Sequence, residues 1–170
     1  MIALAALLDA APHVGAGAAG GRALQRATGS DRPTAVAVAA ALLAQPLPAQ
    51  LLKVRCDRAG EHRVCGLVVS GVKFHHPLDR AAFLAEMRTL IAGAFAVAPV
   101  EEVDLWTTVP LAAGRGAVVS GDFARPTSAT VFAVTVTRAE LPQLTTIVGG
   151  SHNVFWDPAF AHELDAGGAR

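Results

Sequence analysis

Apolar and polar positions alternate most clearly from residue 50 onward, in two runs rich in Val and Leu. These runs, Leu51 to Asp57 and His62 to Ser70, are separated by residues 58–61, and two such runs joined by a short Gly-containing turn predict a β-hairpin. If Gly60 and Glu61 are the loop residues, the positive φ of a type II′ turn falls on glycine, which adopts it at little cost. The pattern therefore predicts the turn as well as the strands.

Counting outward from this turn pairs Ala59 with His62 and then Cys56 with Cys65. The two cysteines fall at a non-hydrogen-bonded position, where Cα atoms are about 4.5 Å apart. That separation lies at the short end of the range that disulfides span, so we predict a disulfide between Cys56 and Cys65. The alternation places Leu52, Val54, Cys56, Cys65, Leu67 and Val69 on one face of the hairpin, and Lys53, Arg55 and Asp57 on the other.

The next segment has the signals of an amphipathic helix. Asp79 follows Pro77 and predicts an N-cap, and Pro99 marks the end of the helix. Seven apolar residues recur at helical spacing: Phe83, Leu84, Met87, Leu90, Ile91, Ala94 and Phe95. A stripe of this width predicts a helix that covers the apolar face of a sheet.

Two further alternating runs, residues 103–109 and 130–138, predict strands, and residues 117–120 predict a short additional one. The fold class is therefore α+β: a β-hairpin, one amphipathic helix, then two or three further strands, forming an antiparallel sheet with the helix on one face. Near the end of the chain, we expect Phe155 and Trp156 to pack over one end of this sheet.

The chain divides into four parts by composition. Residues 1–31 are rich in Ala and Gly, and we expect little fixed structure there. Residues 32–49 resemble a signal peptide, residues 50–165 form a single α+β domain, and residues 166–170 form a flexible tail.

The signal-peptide interpretation depends on the order of residue types. Arginines precede an apolar run from Ala35 to Ala44, and Pro46 and Pro48 precede Ala49, after which cleavage is expected. This segment lies deeper in the chain than a signal peptide normally does. The alternative is that residues 34–45 form an Ala-rich buried helix of a cytosolic protein.

Composition and charge narrow the classes of partner and compartment. Fourteen Lys and Arg balance fourteen Asp and Glu, so no net field attracts nucleic acid or an anionic membrane surface. After residue 50, no uncharged apolar stretch is long enough to span a bilayer, so we expect no membrane span in the mature domain. The predicted disulfide and the signal-like segment favour a periplasmic or secreted protein.

Three histidines are candidates for metal or haem binding. His75 and His76 lie between the predicted hairpin and helix, and His152 lies in a Gly-rich turn. Imidazoles from two loops bind Zn, Cu or haem if the fold brings them together. Adjacent side chains of an extended segment point to opposite sides, however, so ordinary loop histidines are the simpler interpretation.

The sequence predicts a binding or accessory domain rather than an enzyme, with no cofactor and with an unknown protein or small molecule as partner. Its candidate interface residue is Trp106, which alternates with Leu105 and so lies either on a second buried face or in a contact surface. Two alternatives stay open: a metal or haem protein that uses His75, His76 and His152, and a small enzyme with a loop-borne histidine base.

Overall fold

The computed structural model describes residues 14–46, 50–71, 79–97, 99–110, 128–150 and 153–167. In these ranges a six-stranded sheet is combined with five α-helices and a 3-10 helix. In chain order the elements are α1 (Val14–Arg26), β1 (Ala27–Thr28), α2 (Arg32–Leu43), β2 (Gln50–Ala59), β3 (His62–Ser70), α3 (Arg80–Ala96), β4 (Glu102–Pro110), β5 (Ser128–Thr137), the 3-10 helix (Arg138–Gln143), α4 (Leu144–Gly150), β6 (Val154–Trp156) and α5 (Pro158–Gly167).

The strands lie side by side in chain order, from β1 to β6. The fold class α+β is confirmed, but the prediction of a purely antiparallel sheet with one helix is wrong. The pairs β1–β2 and β3–β4 are parallel, whereas β2–β3, β4–β5 and β5–β6 are antiparallel. Helices α2 and α3 connect the two parallel pairs, and a strand that follows a crossover helix lies parallel to the strand before it. The sheet is therefore mixed.

The predicted hairpin register is confirmed from the turn outward to Lys53 and Val68. Ala59 pairs with His62 and Cys56 with Cys65, and the two cysteines form the predicted disulfide, with their Cα atoms 4.2 Å apart. Gly60 has a φ of +65°, and among the described residues no residue other than glycine has a positive φ. A type II′ turn requires a positive φ at the first of its two loop residues and not at the second.

The predicted apolar face of the hairpin is wrong at Leu52. A β-bulge shifts the register so that Leu51 pairs with Val69 and Lys53 with Val68, which leaves Leu52 as the extra residue. Leu51 is consequently buried, and Leu52 is 38% exposed. An inserted residue reverses which side chains face the core on one side of it, and a prediction from simple alternation misses this change.

Helix α3 matches its prediction. The side chain of Asp79 accepts a hydrogen bond from the amide of Ala82 at 2.6 Å, as an N-cap does. All seven apolar positions predicted for its buried face are buried.

One apolar cluster fills the space between the helices and the inner face of the sheet. The sheet contributes Val54, Cys56, Cys65, Leu67, Val69, Val103, Leu105, Phe132, Val134 and Val136. The buried apolar side chains of all the described helices belong to this same cluster. The described helices therefore lie over one face of the sheet.

An aromatic group closes the β6 edge of the core. The ring of Phe83 on α3 lies 5.2 Å from Phe132, 5.6 Å from Trp156 and 5.4 Å from Phe160. These separations and the largely tilted or perpendicular planes are those of favourable aromatic pairs. Phe155 and Trp156 were expected to pack together over one end of the sheet; instead they lie in strand β6, where only Trp156 faces the core.

The N-terminal part of the chain differs most from expectation. Residues 14–31, for which little fixed structure was expected, contain helix α1 and strand β1. Helix α2 then buries four side chains, Ala35, Val38, Ala39 and Leu42, in the common core. A segment that is removed by cleavage cannot contribute to the core of the mature domain, so the signal-peptide interpretation of residues 32–49 and this packing exclude each other.

Asp31 attaches the start of α2 to the hairpin. Its carboxylate accepts hydrogen bonds from Arg63 Nε at 2.7 Å and from the amide of Thr34 at 3.4 Å, and its own amide donates to the carbonyl of Cys56 at 2.9 Å. The bond from Arg63 is the main reason that the pKa of Asp31 lies below its usual value. Gly29 has a φ of +101° and lies so close to Cys56 that a Cβ would overlap its backbone.

We predict that Leu42→Ala lowers the free energy of unfolding by about 2–4 kcal/mol, because it removes a buried side chain and leaves a cavity. The control is Leu24→Ala, which makes the same change at an exposed position of α1. Denaturant unfolding of the purified full chain measures both. Equal stabilities of the two variants would contradict the packing of α2 in the core.

We predict that Asp31→Asn lowers the free energy of unfolding at neutral pH by about 1–3 kcal/mol, since it removes a charged partner of Arg63. The pKa of Asp31 is lower in the folded protein than in the unfolded chain. The contribution of Asp31 is thus fully present above about pH 4 and is lost as the pH falls through the folded-state pKa. Stability measured against pH should show the two proteins converging in acid; parallel curves would refute the ion pair.

Candidate interaction surface

The outer side of the sheet carries the side chains that alternate with the core positions. We call this surface the open face. It consists of Lys53, Arg55, Asp57, Val64, Gly66, Val68, Glu102, Asp104, Trp106, Ala133, Thr135, Thr137 and Phe155. None of these residues is classed with the buried core, and the exposed large apolar side chains of the described sheet include two of them, Trp106 and Phe155.

Strand register places four apolar residues in one row across the open face. Val68 lies beside Trp106, Trp106 beside Ala133, and Ala133 beside Phe155. Trp106 is 37% exposed and Phe155 is 51% exposed. Since they are two strands apart, their backbones are separated by about 9–10 Å, with only a methyl group between them.

Small residues create two hollows, one on each side of Trp106. The first, of about 260 Å³, lies over Gly66 and is bordered by Arg55 and Asp104. A Cβ on Gly66 would come within 2.8 Å of the indole of Trp106, so the indole leans over the glycine. The second, of about 210 Å³, lies over Ala133 between Trp106 and Phe155. The surface thus has one central ridge and two shallow depressions.

Charge on the open face is divided between two strands. Lys53, Arg55 and Asp57 lie on β2, and Glu102 and Asp104 lie on β4, with β3 between them. Because β3 contributes only Val64, Gly66 and Val68 here, two cations and one carboxylate lie on one side of an uncharged centre and two carboxylates lie on the other.

Two of these charged groups are held by hydrogen bonds within the chain. Arg55 Nε donates to Asp57 Oδ2 at 2.5 Å, and this bond, together with one from the amide of Ser30, lowers the pKa of Asp57 to about 2. The hydroxyl of Thr135 donates to Asp104 Oδ1 at 2.5 Å. Both carboxylates are therefore fixed in position rather than free to rotate.

The disulfide lies directly beneath this surface. Arg55 pairs with Gly66, and the next pair along the hairpin is Cys56 with Cys65. A covalent bond at that pair fixes the register of β2 against β3, so it also fixes which open-face residues are neighbours.

The structure describes some of the site residues that were predicted from the sequence and not others. Trp106 lies on the open face, as a contact residue would, and its role in an interface stays a prediction. Sequence reasoning missed Phe155, because only the pairing of β6 with β5 brings it next to Trp106. His75, His76 and His152, the predicted metal ligands, lie outside the described residues. Within the described part of the chain, no group of three His, Cys, Asp or Glu residues could hold a metal ion.

A third hollow lies at the hairpin end of the sheet, bordered by His62, Glu101, Thr137 and Arg138. His62 Nδ1 hydrogen-bonds to Glu101 Oε2, and both side chains are accessible to solvent, at 74% and 41% exposed. Arg138 donates hydrogen bonds to the carbonyl oxygens of Val100 at 2.7 Å and Phe95 at 2.9 Å. Contacts between polar side chains at a solvent-exposed surface contribute little to stability.

Comparison with known proteins gives no family model, curated protein or solved structure that matches this chain. Among the helices that the structure describes, none is long and apolar enough to cross a membrane.

We predict that replacing both cysteines, Cys56→Ser with Cys65→Ser, lowers the free energy of unfolding by about 2–3 kcal/mol through the loss of a short cross-link. Reduction of the unaltered protein should produce a loss of similar size, which serves as the matched control. Denaturant unfolding with and without reductant measures it. An unchanged midpoint on reduction would show that the disulfide does not stabilise the hairpin.

Proposed function

We propose that this chain is an exported, non-catalytic binding or accessory domain, periplasmic or secreted, whose contact surface is the open face of the sheet. The observation that carries the proposal is the row in which Trp106 and Phe155 stand exposed on either side of Ala133. Exposed aromatic side chains grouped on one surface are typical of contact sites, since their burial by a partner is favourable.

Export is supported by the disulfide. Structural disulfides persist in oxidising compartments and are rare in the cytosol. The disulfide lies in the core, where both cysteines are fully buried, and thus supports a structural bond rather than a reactive pair. In this proposal helix α2 remains in the mature domain, because its four buried side chains complete the core.

A binding role is favoured over catalysis by the character of the surface. The two hollows beside Trp106 are open to solvent, and Arg55 and Asp104, which border the first of them, are already hydrogen-bonded to Asp57 and Thr135 within the chain. Catalytic sites are typically concave pockets with titratable groups directed toward a substrate. Shallow depressions around an aromatic ridge suit the side chains of a macromolecular partner instead.

The test places a photo-crosslinking amino acid, p-benzoylphenylalanine, at position 53 of the full chain in its native host. Lys53 is exposed on the open face, in the same row as Trp106. The matched control places it at the exposed Glu163 of α5, on the helical side. Irradiation should produce a covalent adduct from position 53, and little from position 163, because only the open face contacts a partner. Adducts that are absent from position 53, or equal at both positions, would contradict the proposal.

A further inference from the structure

The open face carries residues that complement one another when two identical copies are placed face to face. In a two-fold dimer each surface group meets a different group of the same surface, so the surface must be complementary to itself. Here β2 carries Lys53 and Arg55 on one side of β3, and β4 carries Trp106 and Asp104 on the other side. Strand register places Lys53 in the same row across the sheet as Trp106, and Arg55 in the same row as Asp104.

Consider two open faces packed together with the two-fold axis along β3. Strand β2 of one copy then lies over β4 of the other, and each residue meets the residue that lies in the same row across the sheet. Arg55 faces Asp104 of the second copy, which joins opposite charges, and Lys53 faces Trp106, a cation over an aromatic ring. Along the axis itself, Val64, Gly66 and Val68 meet their own equivalents. Aligned sheets pack about 10 Å apart with strands within about 30°, which this arrangement satisfies.

Two other placements of the axis bring like charges together. With the axis along β4, Asp104 would meet Asp104 and Glu102 would meet Glu102. With the axis across the strands, along the row of Arg55, that residue would meet its own copy. Like charges opposed in an interface cost several kcal/mol, and the axis along β3 is the placement that brings Arg55 opposite Asp104.

We propose that the partner of the open face is a second copy of this chain, docked face to face about a two-fold axis along β3. This inference rests on the proposed function, because it names the occupant of the same surface. The hollow of about 260 Å³ over Gly66 leaves room between the sheets for the two pairs of Arg55 and Asp104. Arg55 keeps its bonds to Asp57 through Nε and Nη2, which leaves Nη1 for the carboxylate of Asp104 in the second copy.

Two like-charged pairs belong to this arrangement, since Asp57 of each copy meets Glu102 of the other. They lie toward the hairpin end of the sheet, where solvent screens the repulsion. Asp57 is also partly neutralised by Arg55 and by the amide of Ser30. The arrangement therefore predicts that Glu102→Gln tightens the dimer, in contrast to changes at Asp104.

The test uses the purified full chain and two charge reversals, Arg55→Asp and Asp104→Arg, with mass measured by sedimentation over a range of concentrations. The unaltered chain should be a dimer. Each variant alone should weaken the dimer at least about tenfold, because both of its contacts become like-charged. A mixture of the two variants should dimerise again, since every contact in the mixed dimer joins opposite charges. Rescue by mixing cannot arise within one chain.

The control reversal, Glu163→Lys, lies on the helical side and should leave the dimer unchanged. A monomeric unaltered chain, or two variants that stay monomeric when mixed although both are folded, overturns the proposal. The photo-crosslinked adduct at position 53, which faces Trp106 of the second copy in this arrangement, separates this failure from failure of the proposed function. An adduct of another mass than two chains refutes the second copy alone, and the absence of any adduct refutes the contact surface itself.

Discussion

The pairing of β2 with β3, fixed by the disulfide between Cys56 and Cys65, is the constraint on which the rest of the structure depends. These strands lie inside the sheet, and each has a parallel neighbour on its other side. A shift of one residue would exchange their core and solvent faces. It would expose Val54 and Leu67 and turn Arg55 into the core. The covalent bond therefore determines both the packing beneath the sheet and the arrangement of charges above it.

Helices reach this hairpin from both directions along the chain. On one side the start of α2 is attached to β2 by Asp31 and by the close approach of Gly29 to Cys56. On the other side α3 crosses over from β3 to β4 and brings Phe83 against the aromatic group at the edge. Both crossovers lie on the same face, so none of the helices in the described ranges covers the opposite face of the sheet. The exposed aromatic row is a consequence of that one-sided arrangement.

Local signals predicted the central elements correctly. The glycine turn, the cysteine spacing and the Asp79 N-cap each act over a few residues, so the hairpin and α3 could be derived from sequence. The parallel pair β1–β2 could not, because β1 has only two residues and no periodicity. The parallel pair β3–β4 was missed although both strands and α3 were predicted, because the sheet was expected to be antiparallel throughout and α3 was not treated as a crossover. Leu52 was misplaced for a similar reason, since a bulge shows no clear signal in alternation. Phe155 could be assigned to the open face only through its pairing with β5, which is a tertiary contact.

Residues 32–43 show why composition alone was ambiguous. An Ala- and Val-rich apolar run is common to a signal peptide and to a short core helix, and the two differ in what the run contacts. The contact of Asp31 with Arg63 joins residues more than thirty positions apart, and no local sequence pattern predicts it.

The most direct measurement is the intact mass of the protein from its native host, with thiol alkylation before and after reduction. The account predicts a chain that retains residues 32–43 and is alkylated only after reduction. A chain that begins near Gln50, or thiols that react without reduction, would contradict it.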